Sequence, residues 1–596
     1  MNMIRFLQRI LPLVSLSCSV WAGIVSQATD LPGLEYDFVI VGGGTAGNVV
    51  ANRLTENPKV SVLVLEAGGS NEGVLQISVP LFCTRVTPKT PYDWNFTTVP
   101  QDGLLGRSIP YPRGHVLGGS SSVNFMGYTR GTSEDYNRYA RISGDPGWGW
   151  DHLQSYFRKN EKWTPPSDGH DTTGQFDPSV HGFHGINSVS LPGFPETIDS
   201  RVIQTTAELA TEFPFNIDTN SGHHLGVGWT QSTINHGERS SSATSYLAPN
   251  FIQRPNLHIL LQAQVSRVLS TGSIHGKPAF KSVEFAAGVG GPLMKVTAHR
   301  EVILSAGSIG TPHILLNSGI GDPAVLNLAG ITPIVTLPSV GKNLTDHPSV
   351  QNQWTVNSTE TFEKLARNAT YAQEQLDMWT ANRTGLLVDG IFNNLGWFRL
   401  DKNASIFQKY QDPAAGPQTG HFEFVFANGV IRPPIPTSGN FLTVATVVMT
   451  PTSRGSVTIN SSNPFDPPLI NPNILASEFD MFAMREAIRS ARRFISAPAW
   501  SNYTIARVSN ATSDDELDTF IRSSAGTLFH PVGTAGMSPK GADYGVVDPD
   551  LRVKKVEGLR IVDASVIPVV PAAHTQAPTY VFAERASDLI KALWNL

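Results

Sequence analysis

Residues 36–41 (YDFVIV) form an apolar run that stops on Gly42, Gly43 and Gly44, and a helical composition, AGNVVANRL, takes over at 46–54. A run rich in β-branched and aromatic side chains, without polar alternation, reads as a parallel strand buried on both faces. A second such run, VSVLVL, occupies 60–65, which makes the segment a strand–helix–strand unit. The spacing Gly42-x-Gly44-x-x-Gly47 at the strand-to-helix turn narrows the choice further. The first glycine permits the tight turn, the second lets the backbone approach a pyrophosphate, and the third packs helix on strand. The helix N-terminus, entered through Thr45 and Ala46, offers free N–H groups and a positive dipole to the phosphates. Glu66 ends the second strand, where a carboxylate can accept both ribose hydroxyls and disfavours a 2′-phosphate. The chain is therefore expected to bind FAD or NAD.

Later segments extend this sheet. Residues 257–268, 301–305 and 558–563 read as further strands, and 441–450 as a buried one. Stretches rich in Gly and Pro, such as 164–188 and 410–440, read as loops between them. No internal repeat and no Pro/Ser linker divides the chain. The expected fold class is α/β (α+β overall), with a Rossmann-like dinucleotide-binding domain assembled from distant segments and a second domain inserted through it.

Two more glycine clusters bear on chemistry. The first, 113–124 (RGHVLGGSSSVN), presents Gly118, Gly119, Ser122 and Asn124, whose backbone amides and polar side chains can press against a phosphate or a flavin ring. The second, 307–312 (GSIGTP), follows the strand EVILS. It also admits a reading from another class: Ala306-Gly307-Ser308-Ile309-Gly310 resembles a hydrolase nucleophile elbow, with Asp548 or Asp563 and then His574 completing a Ser, Asp, His order. That reading leaves the dinucleotide motifs unexplained. His181, His184, His223 and His224 lack Cys or acidic companions at ligand spacing, so no metal is expected.

Taken together, the three clusters resemble the glucose–methanol–choline (GMC) oxidoreductases, FAD enzymes that oxidise alcohols. Residues 307–321 are similar to that family's second motif at every defined position, and 114–124 to its first, except that His115 stands where Arg, Lys or Asn is usual. FHPVGT at 529–534, VDAS at 562–565 and PAAHTQ at 571–576 agree, so the resemblance runs from Tyr36 to the C-terminus. Within the family, RSSSAT at 239–244, LPGFPETIDSRV at 191–202 and QDPAAGP at 411–417 resemble the fungal aryl-alcohol oxidases. The resemblance implies a GMC N-terminal region at 33–345, mainly FAD-binding, and a substrate-domain insertion on an antiparallel sheet at 346–450. The C-terminal region then covers 451–596. It implies His530 as the catalytic base and His574 as its hydrogen-bonding partner. Val265 is expected to offer backbone atoms to adenine, and Asp563 and Ala564 to approach the flavin diphosphate or ring. Val123 occupies the position where some relatives carry a His that tethers FAD, so the cofactor is expected to be non-covalent.

Alcohol oxidation needs a base for the hydroxyl proton and an acceptor for the hydride, and a neutral imidazole suits the first task. Trp94, Phe125 and Phe529 lie beside the flavin motifs and are expected to line an aromatic-selective pocket. The expected activity is oxidation of benzylic or allylic primary alcohols, with oxygen reduced to hydrogen peroxide. The alternatives are a sugar (pyranose or glucose) dehydrogenase using quinones and, more remotely, a lyase that keeps flavin for structure. At the N-terminus, Arg5 and Arg9 precede an apolar run at 10–21 and small residues, which reads as a signal peptide over 1–28, cleaved after Ala28 or, as second choice, Ala22. Nine N-x-S/T sequons, at Asn95, Asn343, Asn357, Asn368, Asn382, Asn403, Asn460, Asn502 and Asn510, fit a secreted glycoprotein. With a net charge of -5 over 596 residues, neither nucleic acid nor an anionic membrane is expected as a partner. A monomer is expected.

Overall fold

The structure is a computed structural model that describes residues 23–432 and 434–596. The glycine-punctuated strand Glu35–Val41 lies near the centre of an eight-stranded sheet. On one side it pairs in parallel with Val62–Leu65, then Leu257–Leu260, then Gly23–Val25. On the other side it pairs in parallel with the long strand Met294–Leu304. The first part of that strand pairs antiparallel with Lys277–Ala286, which pairs in turn with Gln264–Ile274, while its last three residues pair in parallel with Leu559–Ile561. Strands from both ends of the chain therefore meet in one sheet. Val62–Leu65 is buried along its whole length, and the helix Gly47–Leu54 is buried at all eight residues, as a fully covered parallel sheet requires.

A second sheet of six strands is antiparallel throughout. It runs Asn394–Phe398, Phe422–Ala427, Phe441–Val448, Pro348–Val356 and Thr504–Arg507, with Gly526–Thr527 also paired to Pro348–Val356. Strand period sorts its side chains. Phe422, Phe424 and Phe426 pack with Leu442, Val444 and the helix Glu478–Ile495, through Phe494, in one core. Val425, Ala427, Ala445 and Val447 face the opposite way, towards Ile391, Phe392 and Phe125.

Two expectations need correction. The stretch 410–440 is not all loop, because FEFVFA at 422–427 forms a buried central strand with every residue covered. Its flanking prolines and glycines hid a short apolar run that only pairing on both edges makes a strand. The substrate sheet does not stop at 450: it takes strands from 504–507 and 526–527, since each needs a neighbour for its backbone N–H and C=O groups. Residues 1–22 of the expected leader lie outside the described residues. Gly23–Val25, within that expected leader, forms the outer strand of the first sheet against His258–Leu260. Cleavage after Ala22 leaves this strand in place, whereas cleavage after Ala28 removes it. All nine sequon asparagines are exposed.

The stretch 164–188 is fastened by a buried charge cluster. His181 Nδ1 lies 2.7 Å from Glu161 Oε1 and its Nε2 lies 2.7 Å from Asp218 Oδ2, while Arg130 pairs with the other Glu161 oxygen. Both ring nitrogens therefore face carboxylates, which favours the imidazolium. Burial pushes the His181 pKa down, but the hydrogen bonds and charges of Asp218 and Glu161 outweigh it, and the net shift is upward. A raised folded-state pKa gives stability that is present below the unfolded value of about 6.5 and fades as pH rises through the folded value. His181→Gln should therefore lower the unfolding free energy most at pH values just below about 6.5, on the order of 3–5 kcal/mol for a broken buried pair. The gap from wild type should narrow as the pH is raised. Chemical denaturation at a series of pH values checks this; a gap that widens with rising pH would overturn the assignment.

Candidate active site and dinucleotide cradle

One cavity of ≈ 1070 Å³ runs from the glycine turn of the first sheet to the face of the second. This exceeds what a drug-sized ligand requires, and so leaves space for a dinucleotide and a substrate end to end. At one end its wall is Gly42, Gly44, Thr45 and Ala46. The helix starting at Gly47 has no side-chain cap, and the turn that leads into it, Gly44 to Ala46, lines the cavity, so the positive end of the helix dipole lies next to that wall. Gly42 sits at φ 103°, and a Cβ on it would lie 2.5 Å from Ser305 O. Gly119 approaches Gly44 so closely that a Cβ on Gly119 would lie 2.8 Å from the Gly44 Cα, bringing two loops to the same place. Glu66 lines the wall and accepts from Gly43 N at 2.8 Å and Gly68 N at 2.7 Å, which leaves lone pairs on both oxygens for hydroxyl donors. Burial raises its pKa to about 7, against those two backbone hydrogen bonds. Gly119, Asn124, Val265, Asp563 and Ala564 share the same wall, and so does Val123, which has no nucleophilic atom. This donor set fits a pyrophosphate, a ribose and a flat ring system.

Gly47, Gly118 and Ser122 shape the turns and are not part of the wall. A Cβ on Gly47 would collide with Gly42 O, and the Ser122 hydroxyl donates to Leu117 O at 2.8 Å. Asp563 does more than face the cavity. Its Oδ2 accepts from Gly307 N and Thr311 Oγ1 and its Oδ1 from Ser565 N, which pins the start of the helix Gly307–Asn317. Ser308, the hydrolase candidate, is buried and donates to Pro531 O, and neither Asp563 nor His574 reaches it. The geometry therefore excludes the serine-hydrolase triad. Trp94 lines the cavity, stacked on Phe96 with ring centres 5.6 Å apart and tilted against His115 at 4.5 Å; His115 itself is off the wall.

At the other end His530 and His574 come together, with ring centres 5.0 Å apart. A third imidazole, absent from the sequence reading, stands behind them: His347 Nδ1 lies 3.0 Å from His530 Nδ1. That contact occupies one ring nitrogen of His530 and leaves Nε2 for a substrate. Burial lowers the His530 pKa, and the nearby His574, His347 and Arg113 lower it further, well below the ordinary histidine value. Burial likewise holds His347 at about 3, so both rings are neutral at physiological pH. His574 Nε2 is 2.9 Å from Glu423 Oε1. Strand alternation in FEFVFA turns Glu423 away from the three phenylalanines and towards the site. Phe529, just before the base, sits at φ 62°, a conformation that costs a bulky residue about 1–3 kcal/mol. It is held there by Thr527 Oγ1, which accepts from Phe529 N at 2.7 Å, and by Arg113, which donates to Phe529 O at 2.5 Å. Phe125, Phe392, Ile391, Leu528 and Ile431 line the same cavity.

Family profiles described as "GMC oxidoreductase" match residues 36–349 and 451–583. The chain belongs to the GMC oxidoreductase family. It is 44% identical to "Dehydrogenase eriK" of Hericium erinaceus, over 98% of each chain, and 43% identical to "Pyranose dehydrogenase 3" of Leucoagaricus meleagris, over 94% of each. Among solved structures it is similar to a formate oxidase (TM-score 0.86, 31% identity, 94% of this chain and 99% of that one). It is also similar to a fungal aryl-alcohol oxidase (TM-score 0.81, 28% identity, 95% of this chain and 100% of that one). As a GMC oxidoreductase the protein is FAD-dependent and acts on CH–OH donors, and the cradle above fits that cofactor.

The backbone of the base depends on Asp346. Its Oδ1 accepts from His347 N at 2.7 Å and His530 N at 2.8 Å, and its Oδ2 from Tyr111 OH and Thr527 Oγ1, each at 2.5 Å. Asp346→Asn keeps the size but replaces one acceptor oxygen by a donor, leaving two of these four donors without an acceptor, at about 1–3 kcal/mol each. The variant should fold and carry FAD, yet reduce its flavin at least about 10-fold more slowly through a displaced His530. Stopped-flow flavin reduction on variant holoenzyme is the measurement; an unchanged rate would show that Asp346 does not position the base.

Proposed function

We propose that the protein oxidises primary alcohols whose carbinol carbon adjoins a π-system, benzylic or allylic, to aldehydes. The observation that carries this is the composition of the wall around the histidine pair: Phe125, Phe392, Ile391, Leu528, Phe529 and Ile431 supply flat, apolar surface. The Phe392 ring centre is 6.2 Å from that of His574. A pyranose would require several buried polar partners, each costly if unmet. His530 takes the hydroxyl proton on Nε2, since a depressed pKa keeps it neutral and ready to accept. His574, oriented by Glu423, holds the substrate oxygen so that the carbinol C–H points along the cavity. FAD, when bound, supplies the hydride acceptor. The chain's own part is to fix the alcohol, remove its proton and exclude water from the path.

A second reading, a sugar dehydrogenase, is supported by the full-length likeness to pyranose dehydrogenases and by Ser349 and Gln351 on the cavity face of the second sheet. The dehydrogenase names of both relatives also favour an acceptor other than oxygen, for which a quinone is the candidate. The leader expected from the sequence and the exposed sequons support a secreted glycoprotein. The experiment that decides between substrates compares kcat/KM for 4-methoxybenzyl alcohol and glucose with the same quinone acceptor. The aryl alcohol should be faster; faster glucose turnover would select the sugar reading.

His530→Ala should slow flavin reduction by about 10²–10⁴, the usual worth of a general base, while retaining FAD, whose contacts come from distant glycines. In the wild type, reduction should persist below pH 6.5 or so, because a base with a lowered pKa stays deprotonated there. Pre-steady-state reduction rates across pH check both points. A profile that collapses near the free-histidine value, or a normal rate without His530, would remove it from this role.

A further inference from the structure

The apolar half of the cavity contains one feature that oxidation of a neutral alcohol leaves unused. Arg432 lines it, beside Ile431 and Phe529. Its Nη2 donates to Thr527 O at 2.8 Å and lies 3.4 Å from Ser349 Oγ, and its guanidinium carbon is 5.6 Å from the Phe529 ring centre. Among the described residues it has no acidic partner. Burial alone lowers its pKa, with no carboxylate acting against it. Arg113, on the same wall, differs in having Asp346 and Asp93 close enough to stabilise its charge. A partly buried cation with no carboxylate opposite it is costly to desolvate. A guanidinium has five donors in a rigid planar fork that matches a carboxylate, and two contacts leave most of them unspent. Gln351 lies two residues beyond Ser349, so its side chain shares the cavity face of the strand Pro348–Val356.

We propose that Arg432, with Ser349 and Gln351 beside it, is an anion subsite of the substrate cavity, and that the preferred alcohol carries a carboxylate on its unsaturated body. Resting on the benzylic or allylic reading above, this makes the substrate class a hydroxymethyl-aryl (or allylic) carboxylate. The apolar wall grips the ring, the histidine pair takes the hydroxyl end, and Arg432 receives the anionic end, so one molecule spans the cavity in one orientation. The subsite also gives a reason for a cation beside the Phe, Ile and Leu side chains of this wall.

Two measurements on the FAD-loaded enzyme separate this from the substrate-class reading. Benzoate and its neutral isostere benzamide are titrated by calorimetry into wild type, Arg432→Gln and Arg432→Lys. In parallel, kcat/KM is determined for 4-(hydroxymethyl)benzoate and for 4-methoxybenzyl alcohol. Wild type should bind benzoate more tightly than benzamide and favour the carboxylate alcohol. Arg432→Gln should abolish both preferences, each by at least about 10-fold, and Arg432→Lys should restore part of them by returning the charge without the fork. Flavin absorbance and circular dichroism establish that each variant is folded. If benzoate binding depends on Arg432 but no aryl alcohol is turned over, the subsite stands and the substrate class falls. If aryl alcohols are oxidised and benzoate binds no better than benzamide, or equally well without Arg432, the subsite is overturned.

Discussion

The site depends on one buried carboxylate. Asp346 draws in Tyr111, which neighbours the glycine cluster at 113–124, Thr527 from the last strand of the antiparallel sheet, and the backbone amides of His347 and His530. Four donors converging on two oxygens tie three distant segments to one point. Burial raises the Asp346 pKa, and the hydrogen bonds from Thr527, Tyr111 and His530 act against that rise. Their number is what makes an ionised carboxylate tolerable in such a place. Loss of this junction would separate the base from the cradle that holds the cofactor.

Around that junction the two sheets divide the labour. The first sheet ends in a glycine turn whose backbone lines the cavity at Gly42, Gly44, Thr45 and Ala46, so a phosphate there meets main chain rather than charged side chains. The antiparallel sheet presents two faces with different tasks. One carries Phe422, Phe424 and Phe426 into a core with Phe213 and Phe494. The other brings Ser349, Gln351 and Val425 to the cavity and Glu423 to His574. A one-residue slip in the pairing of Phe422–Ala427 would exchange these faces and turn Glu423 into the phenylalanine core, so register is under strong energetic control.

The histidine cluster shows how desolvation sets chemistry. Three imidazoles this close cannot all be charged, and burial decides that His530 and His347 are neutral. His181, also buried, takes the opposite state because carboxylates face both its nitrogens. The same side chain thus serves as a base in one place and as a structural cation in another, and its partners, not its burial, make the difference.

The sequence by itself determined the dinucleotide cradle. The Gly42-x-Gly44-x-x-Gly47 turn, Glu66 and the strand–helix–strand unit are local, and steric limits on φ and the free N–H groups of a helix start act within a few residues. The segments around His530 and His574 were legible as motifs as well. Sequence did not show that Asp346 and His347 stand beside His530, because they lie more than 180 residues away along the chain and meet only through strand pairing. Glu423 had left a trace, a lone acid in the buried run FEFVFA, but its partner was invisible until the pleat gave it a direction. Arg432 left less, since an arginine at the edge of a proline-rich stretch is ordinary until it is seen lining the cavity without a carboxylate beside it. Burial, pairing and the sign of each neighbour are properties of three-dimensional contact, and for these side chains only the tertiary structure decided them.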